Sequence, residues 1–107
     1  MDSANDWIRI ATCTELSERA TLRATIAGAE EVCLYRIDGA YFATSNRCTH
    51  GQAALSDGLV LEGGLIECPL HEGTFEIRTG RAVGAPCTVA LRTYDIKVED
   101  GSIYLRR

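Results

Sequence analysis

Both histidines of this 107-residue chain stand two or three positions after a cysteine. The first pair reads Cys48-Thr49-His50 and the second Cys68-Pro69-Leu70-His71, with seventeen residues, 51–67, between them. Each loop offers one thiol and one imidazole, and the tight spacing lets one short loop direct both side chains to the same side. One such loop cannot surround a metal; two facing loops can. The pattern therefore demands a scaffold that holds two loops face to face and keeps water off the sulfurs.

Four Cys and His donors suit zinc, which takes four such ligands tetrahedrally in structural sites. Zinc fingers usually put the cysteines in one knuckle and the histidines in another, whereas here each loop carries one of each. That split suits a two-iron centre in which one iron takes both thiolates and the other both imidazoles. A [2Fe–2S] cluster with two histidines in place of two cysteines is the Rieske type. A zinc-bound interaction module stands as the alternative, and colour separates them, because the iron cluster is red-brown and zinc is colourless.

The rest of the chain reads as a β scaffold. Expected strands are 7–11, 21–27, 32–37, 40–44, 65–67, 74–77, 91–99 and 103–105, rich in β-branched and aromatic residues. Asp38-Gly39 and Asp100-Gly101 sit between such runs and predict hairpin turns, since both residue types tolerate positive φ. Thr14 is expected to cap one short helical turn, and Tyr94, Ile96 and Val98 to share a face. The region 45–58 shows no periodicity. Eight or nine short strands with no long helix make an all-β antiparallel sandwich or barrel. The length supports one domain, residues 1–107, with a modest core.

Composition narrows the function. A net charge of −4 argues against nucleic-acid binding, which wants a basic face. The polar, acidic start lacks the basic and apolar runs of a signal peptide. No apolar stretch reaches the ~20 residues that a membrane helix needs. The expected location is the cytoplasm, where thiols stay reduced. Cys13, Cys33 and Cys87, far apart in sequence, read as buried inert thiols. Glu62, Glu67 and Glu72 flank the loops as solvated or partner-guiding charges.

Cys48-Thr49-His50-Gly51 and Cys68-Pro69-Leu70-His71-Glu72-Gly73 resemble the two boxes of Rieske [2Fe–2S] proteins. The longer runs Cys48 to Gly58 and Ile66 to Phe75, with Thr79-Gly80 and the segment around Pro86, resemble the ferredoxins of bacterial aromatic-ring-hydroxylating dioxygenases of the naphthalene and biphenyl types. The resemblance implies a Rieske fold, a small antiparallel β-sandwich with two cluster-binding loops. It implies that Cys48 and Cys68 bind one iron and that His50 and His71 bind the other, with their second ring nitrogens near solvent. It places Pro86 in a loop covering the cluster's side. The implied protein is not an enzyme but a one-electron carrier. It would take electrons from an NAD(P)H-dependent flavin reductase and pass them, in transient contacts, to a terminal oxygenase. Both histidines are spent on the cluster, so none is left for a mononuclear iron site. The small subunit of an assimilatory nitrite reductase is the second reading.

Residues between the ligands bear on potential. Two ferric ions, two sulfides and two thiolates sum to zero, so the mixed cluster accepts an electron more readily than a four-cysteine one. Respiratory Rieske proteins resemble this pattern but carry a disulfide whose positions correspond to Ala53 and Leu70. Their serine and tyrosine hydroxyl donors correspond to Gly73 and Phe75. Lacking both devices, this cluster is predicted to have a midpoint of roughly −150 mV, at the low end of the Rieske range. A redox titration checks the value, and a midpoint above zero would refute it.

Overall fold

The computed structural model describes residues 7–26, 30–49, 51–70 and 72–106. Its organising element is β3 (Glu30–Ile37), in which four successive residues, Val32-Cys33-Leu34-Tyr35, are buried. A strand sends alternate side chains to opposite faces, so such a run requires a covering layer on both sides. Val32 and Leu34 enter one core, while Cys33 and Tyr35 enter a second. Its neighbour β4 (Ala40–Ser45) divides in the same way, with Tyr41 and Ala43 facing the first core and Phe42 the second. Between them, Asp38 and Gly39 take φ of 53° and 80°, as the expected hairpin turn requires.

The first core lies within a six-stranded sheet. Its order is β1 (Ile8–Thr12), β10 (Ser102–Arg106), β9 (Thr93–Glu99), β4, β3 and β2 (Thr21–Ile26). The edge strands β1 and β2 approach each other, so the sheet curls around Leu16, Ile26, Leu34, Ile103 and Leu105. The second core lies between β3–β4 and a four-stranded meander of β5 (Leu59–Leu61), β6 (Leu65–Glu67), β7 (Thr74–Glu76) and β8 (Ala82–Gly84). Ile66, Phe75 and Ile77 from that side meet Tyr35, Leu55 and Leu91. Every strand pairing is antiparallel. The all-β expectation therefore holds, with ten strands among the described residues.

Three local expectations change. β5 and β8 escaped the sequence reading because each is three residues long and beside glycines; pairing to β6 and β7, not propensity, makes them strands. The helical turn is a 3₁₀ turn over Cys13–Glu15 that begins after Thr12 rather than Thr14. The Thr12 amide donates to the Glu15 carboxylate at 2.7 Å and holds that carboxyl below its usual range. The face of β9 leaves the core along its length, with Tyr94 buried and Val98 half exposed, because the strand outruns the core toward its turn. The expected end of β2, at Ala27, falls outside the described residues.

Phe75 is fully buried between the layers. Phe75→Ala is expected to cost about 3–5 kcal/mol through lost burial and a cavity, whereas Val98→Ala stays within about 0.5 kcal/mol. Denaturant unfolding at matched cofactor content measures the contrast.

Candidate metal centre

Both cysteine loops are closed by the same device. The Cys48 amide donates to the Ala53 carbonyl at 2.9 Å, and the Cys68 amide to the Gly73 carbonyl at 2.8 Å. In each case the acceptor lies five residues on, so each cysteine sits at the neck of a tight loop. Antiparallel pairing continues below both necks, through the Arg47–Ala54 bridge in the first and the Glu67–Thr74 pair in the second.

Asn46 anchors the first neck and was not singled out by the sequence. It is 1% exposed. Its side-chain carbonyl accepts from the Ser56 amide at 2.8 Å, and its amide side chain donates to Glu31 at 3.3 Å. Its backbone donates to the Glu31 carbonyl and accepts from the Leu55 amide at 2.7 Å. An asparagine just before an irregular stretch is the signal that could have marked it, since its side chain can replace missing ladder bonds.

Close backbone approach draws the loops together. A Cβ on Gly58 would lie 2.2 Å from the Glu67 carbonyl oxygen, so only glycine lets the first segment pack on the strand that delivers Cys68. At the tips, a Cβ on Gly51 would be 3.0 Å from Cδ2 of Leu70. The two loops therefore touch at base and tip.

Cys48 and Cys68 are 3% and 0% exposed and meet in the second core. Burial raises the Cys68 pKa, and its hydrogen bond with Cys48 raises it further. The Leu70 amide opposes this by donating to the Cys68 sulfur. Two thiolates side by side in a dry pocket repel unless a cation joins them. A shared iron supplies that cation, and an amide aimed at sulfur suits a coordinated thiolate. The donor set thus fits an iron–sulfur cluster. The other expected ligands, His50 and His71, lie outside the described residues.

Cys33 is an inert core thiol, pushed up to about 12 by burial. Cys13 is half-buried and packs with Tyr41 against the first core. Cys87 is buried as expected but lies beside the proposed ligands rather than far from them. The loop after β8, which includes the cis Ala85–Pro86 bond, returns it to the second core beside Cys48 and Cys68. Burial, then the neighbouring Cys48, pushes its thiol up to about 11. Of the three acidic residues, Glu72 is exposed beside the second loop, while Glu62 sits at the turn between β5 and β6. A hairpin turn lies opposite the strand ends that carry the cysteine, so Glu62 does not flank the centre. It borders a groove of about 500 Å³ with Arg19, Asp38 and Arg78.

Asn46→Ala leaves the half-buried Ser56 amide without its acceptor and is expected to cost about 1–3 kcal/mol. Gly58→Ala is expected to cost about 1–3 kcal/mol by overpacking and to reduce iron content as the loops separate. Unfolding curves and iron assays of the purified variants check both.

A family model for the Rieske [2Fe-2S] domain matches residues 6–95. The chain is 47% identical, over 87% of its length and 88% of the relative's, to the ferredoxin component of the naphthalene 1,2-dioxygenase system of Pseudomonas aeruginosa. Its structure superposes with a TM-score of 0.87 on a chain from the complex of reduced oxygenase and oxidized ferredoxin in carbazole 1,9a-dioxygenase, at 35% identity and 94% and 93% coverage of the two chains. It also superposes on a nitrite reductase small subunit with a TM-score of 0.82, at 94% and 98% coverage. There the identity is 22%, which speaks for the fold alone. The mixed Cys/His loops, the buried thiol pair and these matches agree: the chain belongs to the Rieske [2Fe–2S] domain family.

Proposed function

We propose that Cys48, His50, Cys68 and His71 hold one [2Fe–2S] cluster, and that residues 1–107 form one domain working as a low-potential electron carrier. Its donor in this reading is a flavin-dependent NAD(P)H reductase. Its acceptor is the terminal oxygenase of an aromatic-ring-hydroxylating dioxygenase. The observation that carries the reading is the meeting of the Cys48 and Cys68 thiols between two identically closed loops. The likeness to ferredoxin components of dioxygenase systems supports the carrier role.

When bound, the cluster supplies a centre that gains and loses one electron. The chain's own residues do the rest. The buried Cys48 and Cys68 sulfurs would hold iron away from water, and the Leu70 amide favours the thiolate form of Cys68. The hydrogen-bonded necks fix where the two cysteines emerge from the loops. At the loop tips, Gln52, Pro69 and Leu70 are exposed, as is Val89 from the loop after β8. A small, partly apolar rim of this kind suits the brief contacts of redox partners. Among the described residues no helix is long and apolar enough to cross a membrane, and the cytoplasm is the proposed location.

Cys48→Ser and Cys68→Ser are expected to lower iron retention by more than the roughly 10–100-fold cost of losing a supporting partner. The red-brown colour and the rhombic resonance of the reduced protein go with it. The intact protein is expected to restore electron flow from NAD(P)H through a flavin reductase to a naphthalene-type oxygenase. A colourless zinc protein, or a coloured one that neither partner reduces or oxidises, would overturn the reading.

A further inference from the structure

Cys87 is the one cysteine beside the centre to which the ligand set assigns no task. It is 5% exposed. Its loop is held at three points. The Cys87 amide donates to the Gly84 carbonyl at 3.1 Å, the Leu91 amide to the Gly80 carbonyl at 2.7 Å, and the Thr49 hydroxyl to the Val89 carbonyl at 2.6 Å. The last bond ties this third loop to the first cysteine loop.

The sulfur itself reaches the second. A Cβ on Gly73 would lie 2.2 Å from the Cys87 Sγ, so that sulfur fills the room a side chain at position 73 would need. Gly73 is also the residue whose carbonyl closes the Cys68 loop. Cys87 shares one buried cluster with Cys48 and Cys68, and Cys48 lies close enough to raise the pKa of its thiol.

We propose that Cys87 is a positioning residue that donates its S–H to the iron-bound sulfur of Cys48 and thereby raises the cluster's potential. The inference rests on Cys48 being a ligand, as proposed above. A thiol is a weak donor, yet it is small and apolar enough to be buried against a glycine. A donor to a ligand sulfur favours the reduced state, which carries one more negative charge. Gly73 and Cys87 act as a pair, because the missing side chain of one makes room for the sulfur of the other.

The test uses the cluster-loaded protein. Cys87→Ala is expected to lower the midpoint potential, with a several-fold fall in the reduction equilibrium constant; about 59 mV corresponds to tenfold. Cys87→Ser, which keeps a donor, is expected to match or exceed the parent. Pulsed electron paramagnetic resonance of the reduced parent in D₂O is expected to show an exchangeable proton that Cys87→Ala lacks. An unchanged potential in a fully loaded Cys87→Ala protein would overturn the proposal. So would equal falls in both variants, which signal packing alone. If Cys87→Ala fails to load, Cys87→Ser against the parent decides: a lower midpoint refutes the donor role. Loss of the cluster in Cys48→Ser, with Cys87→Ser still loaded, separates the ligand assignment from this one.

Discussion

The bond from each cysteine amide to the carbonyl five residues on is the constraint around which the centre is arranged. It turns an irregular stretch into a closed loop and fixes where the sulfur emerges. Both loops use it, although one is framed by an isolated bridge and the other by a regular hairpin. Asn46 explains the difference. Its side chain and backbone supply the bonds that a regular ladder supplies below Cys68. A buried asparagine is favourable only when its polar groups are paired, and this one bonds on every side of the first neck.

The necks stand on a wall that β3 and β4 share. One face of that wall closes a curled six-stranded sheet; the other carries the meander and the cysteine loops. Tyr35 lines the second face of that wall and ties its two strands together. It is fully buried beneath the metal centre, and its hydroxyl meets the Thr44 hydroxyl at 2.9 Å. An apolar layer under the thiols lowers the local dielectric and makes each donor to sulfur count for more. Leu70 and Cys87 therefore act where a single hydrogen bond weighs on the charge of the site.

Much of this was legible in the sequence. The two Asp-Gly turns, the strands around them and the cysteine loops follow from local chemistry, because a turn dipeptide or a ligand spacing acts within a few residues. β5, β8 and the place of Cys87 were not legible. Leu59–Leu61 and Ala82–Gly84 have too few residues for a period, and their pairing partners are set by the meander. The position of Glu62 was misjudged for a related reason, since nearness in sequence to Cys68 is undone by the hairpin. The redox reading also shifts in detail. Gly73 and Phe75 bring no hydroxyl, but Phe75 is core and the room at Gly73 is taken by a thiol from another loop.

By itself the sequence determined the family, the identity of the proposed ligands and the β character of the scaffold. These are carried by residue type and short spacing, which survive without three-dimensional context. The tertiary structure alone decided which other groups surround the sulfurs. Hydrogen bonds and van der Waals contacts act over a few ångströms, and the residues that make them here are brought together across the chain. Gly58 meets Glu67, Thr49 meets Val89, and Cys87 meets Gly73 and Cys48 only because the meander folds onto the wall of β3 and β4.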